Sequence, residues 1–76
     1  MPHIDIKYFP RELSDEEKSA IAEAMADVLK QHFGSKDSSL SVAMTEIPPE
    51  QWKTEVYDPL LKPHLDTLVK KPGYEM

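Results

Sequence analysis

The second residue is proline, the one amino acid whose α-nitrogen is a secondary amine once the residue before it is gone. A small second residue permits removal of Met1, so the sequence predicts a free titratable base at Pro2. An ordinary α-amino group titrates at about 7.7 to 8.0. A proline amine is somewhat more basic, so proton transfer at neutral pH needs desolvation or a nearby cation to lower it. Arg11 is the only arginine, and its planar fork can hold a carboxylate through two parallel hydrogen bonds. Trp52 is the only tryptophan. With Tyr8, Phe9 and Tyr57 it could line an apolar pocket that keeps water from a base.

Each of these residues also has a plainer account. Pro2 can simply begin an edge strand. Arg11 can be a solvated cation beside Glu12, Asp15 and Glu16, which is the reading its neighbours favour. An aromatic such as Trp52 is more often core or interface packing than a pocket wall. His3, His32 and His64 are far apart and lack metal-ligand spacing, so no metal site is predicted. The acidic run Asp15 to Glu17 suits a helix N-terminus, and Lys70-Lys71 suits a helix C-terminus.

The elements that must position these groups follow from periodicity. From His3 to Phe9 the chain alternates, with Ile4, Ile6 and Tyr8 on one side and His3, Asp5 and Lys7 on the other, which predicts a half-buried strand ended by Pro10. Pro2 shares the parity of Ile4, so the pattern aims it at the apolar side. Ser14 and Glu17 form a capping box, and Ala20, Ile21, Ala24, Met25, Val28, Leu29 and Phe33 recur on one helical face until Gly34. Leu40, Val42 and Met44 alternate with Ser41, Ala43 and Thr45 in a second strand. About thirty residues separate the strands, and a helix fills the gap, so a right-handed parallel crossover is expected. After Pro48-Pro49, Glu50 to Tyr57 reads as one or two helical turns. Asp58-Pro59 reads as the N-cap and first position of a further helix carrying Leu61, Leu65, Leu68 and Val69, kinked or delayed by Pro63.

The chain has 76 residues, enough for one small domain over 1–76, and its net charge of -5 comes from 14 acidic and 9 basic side chains. Eight of those nine cations are scattered lysines, so nucleic acid is a poor partner. There is no cysteine, which removes disulfides and thiolate catalysis. No apolar run nears the ~20 residues of a spanning helix, and the N-terminus does not read as a secretory signal. A cytoplasmic protein without a membrane partner is expected. A chain this short buries only about 60% of its unfolded surface, and a two-stranded sheet is not stable alone. A homodimer is therefore favoured. Two copies would join their strands into one four-stranded sheet, the helices covering the face of Ile4, Ile6, Leu40, Val42 and Met44 while the face of His3, Asp5, Lys7, Ser39, Ser41 and Thr45 meets water. The fold class is α+β, with β-α-β-α order.

Pro2 to Lys7, the turn Pro10-Arg11, the run Ser14 to Lys18 and the strand Ser41 to Glu46 together resemble the 4-oxalocrotonate tautomerase family over nearly the whole chain. The Trp52 segment and the tail Lys70 to Tyr74 resemble its longer dimeric branch rather than its shorter hexameric one. The resemblance implies a β-α-β subunit, a homodimer and an isomerase that uses no cofactor. Pro2 would act as a general base that moves a proton between oxygen and carbon of a small-molecule enol. It implies that Arg11 binds the substrate carboxylate, though the turn differs by one residue from the family's, and that Trp52 stands where others have a pocket phenylalanine. Ser41 occupies the place of a second arginine. With one guanidinium per chain, a monocarboxylate with an aromatic or diene tail, such as phenylenolpyruvate, is the expected substrate. Tyr8 and Phe9 are further pocket candidates. A hydratase or dehalogenase of the same superfamily, using protonated Pro2 as an acid, is the nearest rival, and a non-catalytic dimeric interaction module is a rival of another class.

Overall fold

The computed structural model describes all 76 residues and begins with strand β1, His3–Tyr8, which pairs in parallel with β2, Ser41–Glu46, in the register His3 to Ser41 through Tyr8 to Glu46. Between them runs helix α1, Asp15–Phe33, so the crossover inferred from strand spacing is present. The chain is α+β, with the order expected up to β2. The ends of α1 are specified locally. The Glu17 backbone N–H donates to Ser14 Oγ at 3.1 Å, and the Ser14 N–H donates back to Glu17 Oε1 at 3.0 Å. At the other end Gly34 takes the left-handed conformation, φ 67°, and its N–H donates to the Lys30 carbonyl at 3.0 Å. Glycine suits that backbone because it has no Cβ to crowd the preceding carbonyl.

The side of α1 nearest the core carries Ile21, Ala22, Met25, Ala26 and Leu29, which are half-buried or, for Ala26, buried. Ala20, Ala24 and Val28, expected on the same face, are exposed, Val28 at 48%, and so is Phe33 at 68%. The apolar stripe is therefore wider than one chain covers. Ile4, Ile6, Val42 and Met44 are likewise only half-buried. The buried residues are Ala26, Ile47, Val56 and Tyr57, and no large side chain is fully enclosed.

After β2 the structure departs from expectation. Asp58-Pro59 does not start a helix. A short 3-10 turn at Pro49–Gln51 leads through Trp52 into a π-helical segment, Lys53–Leu61, with Pro59 inside it. A proline ring in an α-helix collides with the carbonyl four residues back, and the wider π turn, seen where the Lys62 N–H reaches the Tyr57 carbonyl, relieves that collision. Asp58 instead accepts from Lys53 Nζ at 2.9 Å. Beyond Leu61 the chain makes only a 3-10 turn, Lys62–His64, and a hydrogen-bonded turn, so the stripe through Leu65, Leu68 and Val69 is not helical and Lys70-Lys71 cap nothing. Leu65 and Leu68 are half-buried, whereas Val69 is fully exposed. Pro63 has no N–H with which to continue the ladder.

The second correction concerns the polar face of the sheet. His3 Nδ1 and Ser41 Oγ share a hydrogen bond of 2.6 Å, Lys7 pairs with Asp5, and Thr45 Oγ1 donates to Asp5 Oδ1 at 3.4 Å. This face does not simply meet water, because Trp52, Val56, Leu60 and Leu61 gather around Asp5 and Lys7 in a shallow cleft. The π-helical segment thus lies on the side opposite to the one expected. The strand ladder satisfies the polar groups among themselves, which lets an apolar helix approach them. No helix is long and apolar enough to cross a membrane.

Candidate active site

Strand β1 delivers its last residues to a cavity of about 750 Å³, a volume usual for small-molecule sites. Tyr8, Phe9, Pro10 and Arg11 form one side and Trp52 another. The Ile47 N–H donates to the Tyr8 carbonyl at 2.8 Å, the last tie between the strands before Phe9 and Arg11 turn away into the cavity. Phe9 and Trp52 meet edge to face, with ring centroids 5.1 Å apart and planes at 86°. Such aromatic pairs are favoured because the electropositive edge of one ring meets the electronegative face of the other.

Arg11 is exposed, and no carboxylate lies within salt-bridge distance of it. Its charge helps to hold the Glu17 carboxyl below the usual range, but the larger causes are the Ser14 backbone N–H and then the Ser14 hydroxyl. A cationic fork without a counter-ion at the edge of an aromatic cavity can accept an external carboxylate.

Tyr57 is buried against Tyr74 rather than in the cavity wall, and of the six residues singled out from sequence four, Tyr8, Phe9, Arg11 and Trp52, are brought together. Pro2 is not. It is half-buried at the opposite end of β1, where its carbonyl accepts from the Ser41 N–H at 3.4 Å. At roughly 3.3 Å per residue the strand separates Pro2 from Phe9 by about 23 Å.

Three residues that the sequence did not mark as site residues also line the cavity: Tyr74, Glu75 and Met76. The Trp52 Nε1–H donates to the Tyr74 hydroxyl at 2.9 Å, and the rings of Tyr57 and Tyr74 lie 5.8 Å apart. Only an aromatic following the breaker Pro72-Gly73 hinted at a returning tail.

A model of the Tautomerase enzyme family matches residues 2–56, from Pro2 through the strand–helix–strand unit to the segment bearing Trp52. The chain belongs to the tautomerase family. It is 72% identical over 74 residues, 97% of each chain, to "Tautomerase PptA" of Pectobacterium carotovorum subsp. carotovorum (strain PC1). It is 57% identical over the full length of both chains to "Tautomerase PptA" of Cronobacter sakazakii (strain ATCC BAA-894). Among solved structures, TomN, a 4-oxalocrotonate tautomerase homologue in the tomaymycin biosynthetic pathway, superposes with a TM-score of 0.59 at 27% identity, covering 67% of this chain and 77% of the other. The tautomerase is accordingly an isomerase, and the resemblance drawn from sequence to the 4-oxalocrotonate family is correct. Tyr74 to Met76 lie beyond the part of the tautomerase that the family model covers.

Proposed function

We propose that this tautomerase interconverts the enol and keto forms of small monocarboxylates of the enolpyruvate or 2-hydroxydienoate kind, phenylenolpyruvate among them, without a cofactor. Pro2, freed of Met1, is the general base. The observation that carries the reading is the Arg11 guanidinium, unpaired at the edge of an aromatic cavity in a chain of this family. The substrate carboxylate lies on Arg11, and its flat apolar substituent lies along Phe9 and Trp52. The Pro2 nitrogen accepts the enol hydroxyl proton, the O–H electron pair becomes the carbonyl π bond, and the former C=C pair takes a proton back from Pro2 at carbon. No atom is gained or lost.

Because Pro2 stands about 23 Å from the cavity of its own chain, the base that serves a given cavity comes from a second copy. Two β1 strands paired about a two-fold axis run antiparallel, which sets the start of one level with the end of the other. The partner subunit's Pro2 then faces the Phe9 end of β1, and the two pairs of strands make one four-stranded sheet. The homodimer thus explains both the half-covered apolar faces and the divided site. A cytoplasmic location fits this chemistry.

The test compares ultraviolet decay of phenylenolpyruvate with processed protein and with protein that retains Met1, each verified by intact mass. Processed protein accelerates ketonisation, and the retained methionine, which turns the Pro2 amine into an amide, abolishes the effect. Equal rates for the two forms would remove Pro2 from the mechanism.

A further inference from the structure

Residues Tyr74 and Glu75 reach the cavity from the far end of the chain, outside the strand–helix–strand unit, and they add two things that the rest of the cavity lacks. One is a hydrogen-bond acceptor for the indole. The Tyr74 hydroxyl takes the Trp52 Nε1–H at 2.9 Å while its ring packs against Tyr57, itself 3% exposed, so the indole is tied to a buried anchor. The other is a negative charge. Arg11 and Glu75 are the only ionised side chains lining the cavity, and they are not paired with each other.

A cavity whose ionised side chains are one cation and one anion offers a monoanion a single place for its carboxylate, at Arg11, and presents a dianion with repulsion at Glu75. Charges at the edge of a cavity interact across a medium between protein and water. For one uncompensated pair several ångströms apart this corresponds to about a fivefold change in affinity, reduced by salt.

We infer that the C-terminal residues Tyr74 and Glu75 form the specificity wall of the site, with Glu75 excluding a second carboxylate and Tyr74 acting as the positioning residue for Trp52. This deepens the tautomerase reading and rests on it for the location of the substrate, but it is testable without turnover. Trp52 is the only tryptophan, so quenching of its fluorescence reports cavity occupancy directly.

The experiment titrates wild-type protein and Glu75→Gln with cinnamate and with 4-carboxycinnamate. Cinnamate binds the two proteins within about twofold. The dicarboxylate binds Glu75→Gln about fivefold more tightly than wild type, and that gain shrinks as salt is raised. Discrimination equal to wild type, or no quenching by cinnamate at all, overturns the assignment. Tyr74→Phe keeps the ring and removes the acceptor. It shifts Trp52 emission and raises KM for phenylenolpyruvate about threefold with kcat unchanged, in line with one lost hydrogen bond, and an unmoved emission maximum overturns the positioning role. Should phenylenolpyruvate fail as a substrate while the binding ratio changes as described, the tautomerase substrate assignment fails and the wall stands. The converse pattern retains the substrate and discards the wall.

Discussion

At the scale of single residues the site divides its labour by chemical type. In the proposed reaction Arg11 supplies charge and geometry, the aromatic side chains supply a dry flat surface, and Pro2 supplies a titratable nitrogen that none of the cavity residues offers. Arginine is the only side chain that combines a permanent charge with a planar fork, so losing it should weaken substrate binding more than it alters the chemical step. Arg11→Gln is expected to raise KM for phenylenolpyruvate about tenfold or more, the usual worth of a hydrogen bond to a charged group. Arg11→Lys should recover part of that loss. Steady-state kinetics of the two variants checks this, and an unchanged KM in Arg11→Gln would move the carboxylate elsewhere.

At the scale of elements, α1 is held by its ends as much as by its face. Ser14→Ala removes the hydroxyl that accepts the Glu17 N–H and should cost about 1 kcal/mol, a fall in melting temperature of roughly 4–8 °C for a domain of this size. The box also has a pH signature. Hydrogen bonds from the Ser14 backbone N–H and then the Ser14 hydroxyl hold the Glu17 carboxyl below its usual value. A depressed carboxyl stabilises the fold above its ordinary range and ceases to do so as pH falls through the lowered value. Glu17→Gln, which does not titrate, should therefore lose less melting temperature between neutral pH and acid than wild type. Thermal melts followed by circular dichroism across that range measure the difference. The π-helical segment shows the reverse relation between sequence and element. There a proline that reads as a helix start is absorbed into an interior by widening the turn.

At the scale of the whole molecule, one chain is an unfinished object. Its buried set is four residues, the stripe Ala20, Ala24 and Val28 faces outward, and the base and carboxylate anchor proposed for it stand at opposite ends of one strand. The proposed second copy would answer all three. Val28→Glu places a charge on the exposed stripe and is expected to shift sedimentation from the mass of two chains towards one. Activity should fall with it, because the cavity loses the partner subunit's Pro2, and raising protein concentration should restore part of both. A fully active monomer would show that one chain completes its own site.

The strands, the first helix with both of its caps, the parallel crossover and the candidacy of Arg11, Trp52, Tyr8 and Phe9, which line one cavity, were legible because each depends on a local pattern: alternation, a 3.6-residue period, a Ser-x-x-Glu box, a unique cation. Residues near one another in sequence set those patterns, so no knowledge of distant contacts is needed. What required the tertiary structure was of another kind. Asp58-Pro59 has the composition of a helix start, but the packing of Val56 and Tyr57 continues the segment through it. Polar parity assigned Asp5 and Lys7 to water, but side-chain pairing let Trp52 and Val56 approach. Glu75 carries no signal of its own and Tyr74 only that of an aromatic after a breaker, since a residue 22 positions from Trp52 reaches it only when the chain folds back. The separation of Pro2 from Phe9 follows from the strand length alone, but which groups line the cavity with Arg11 does not. Short-range preferences choose elements, whereas the direction in which a strand carries its two ends apart decides which groups can share a site.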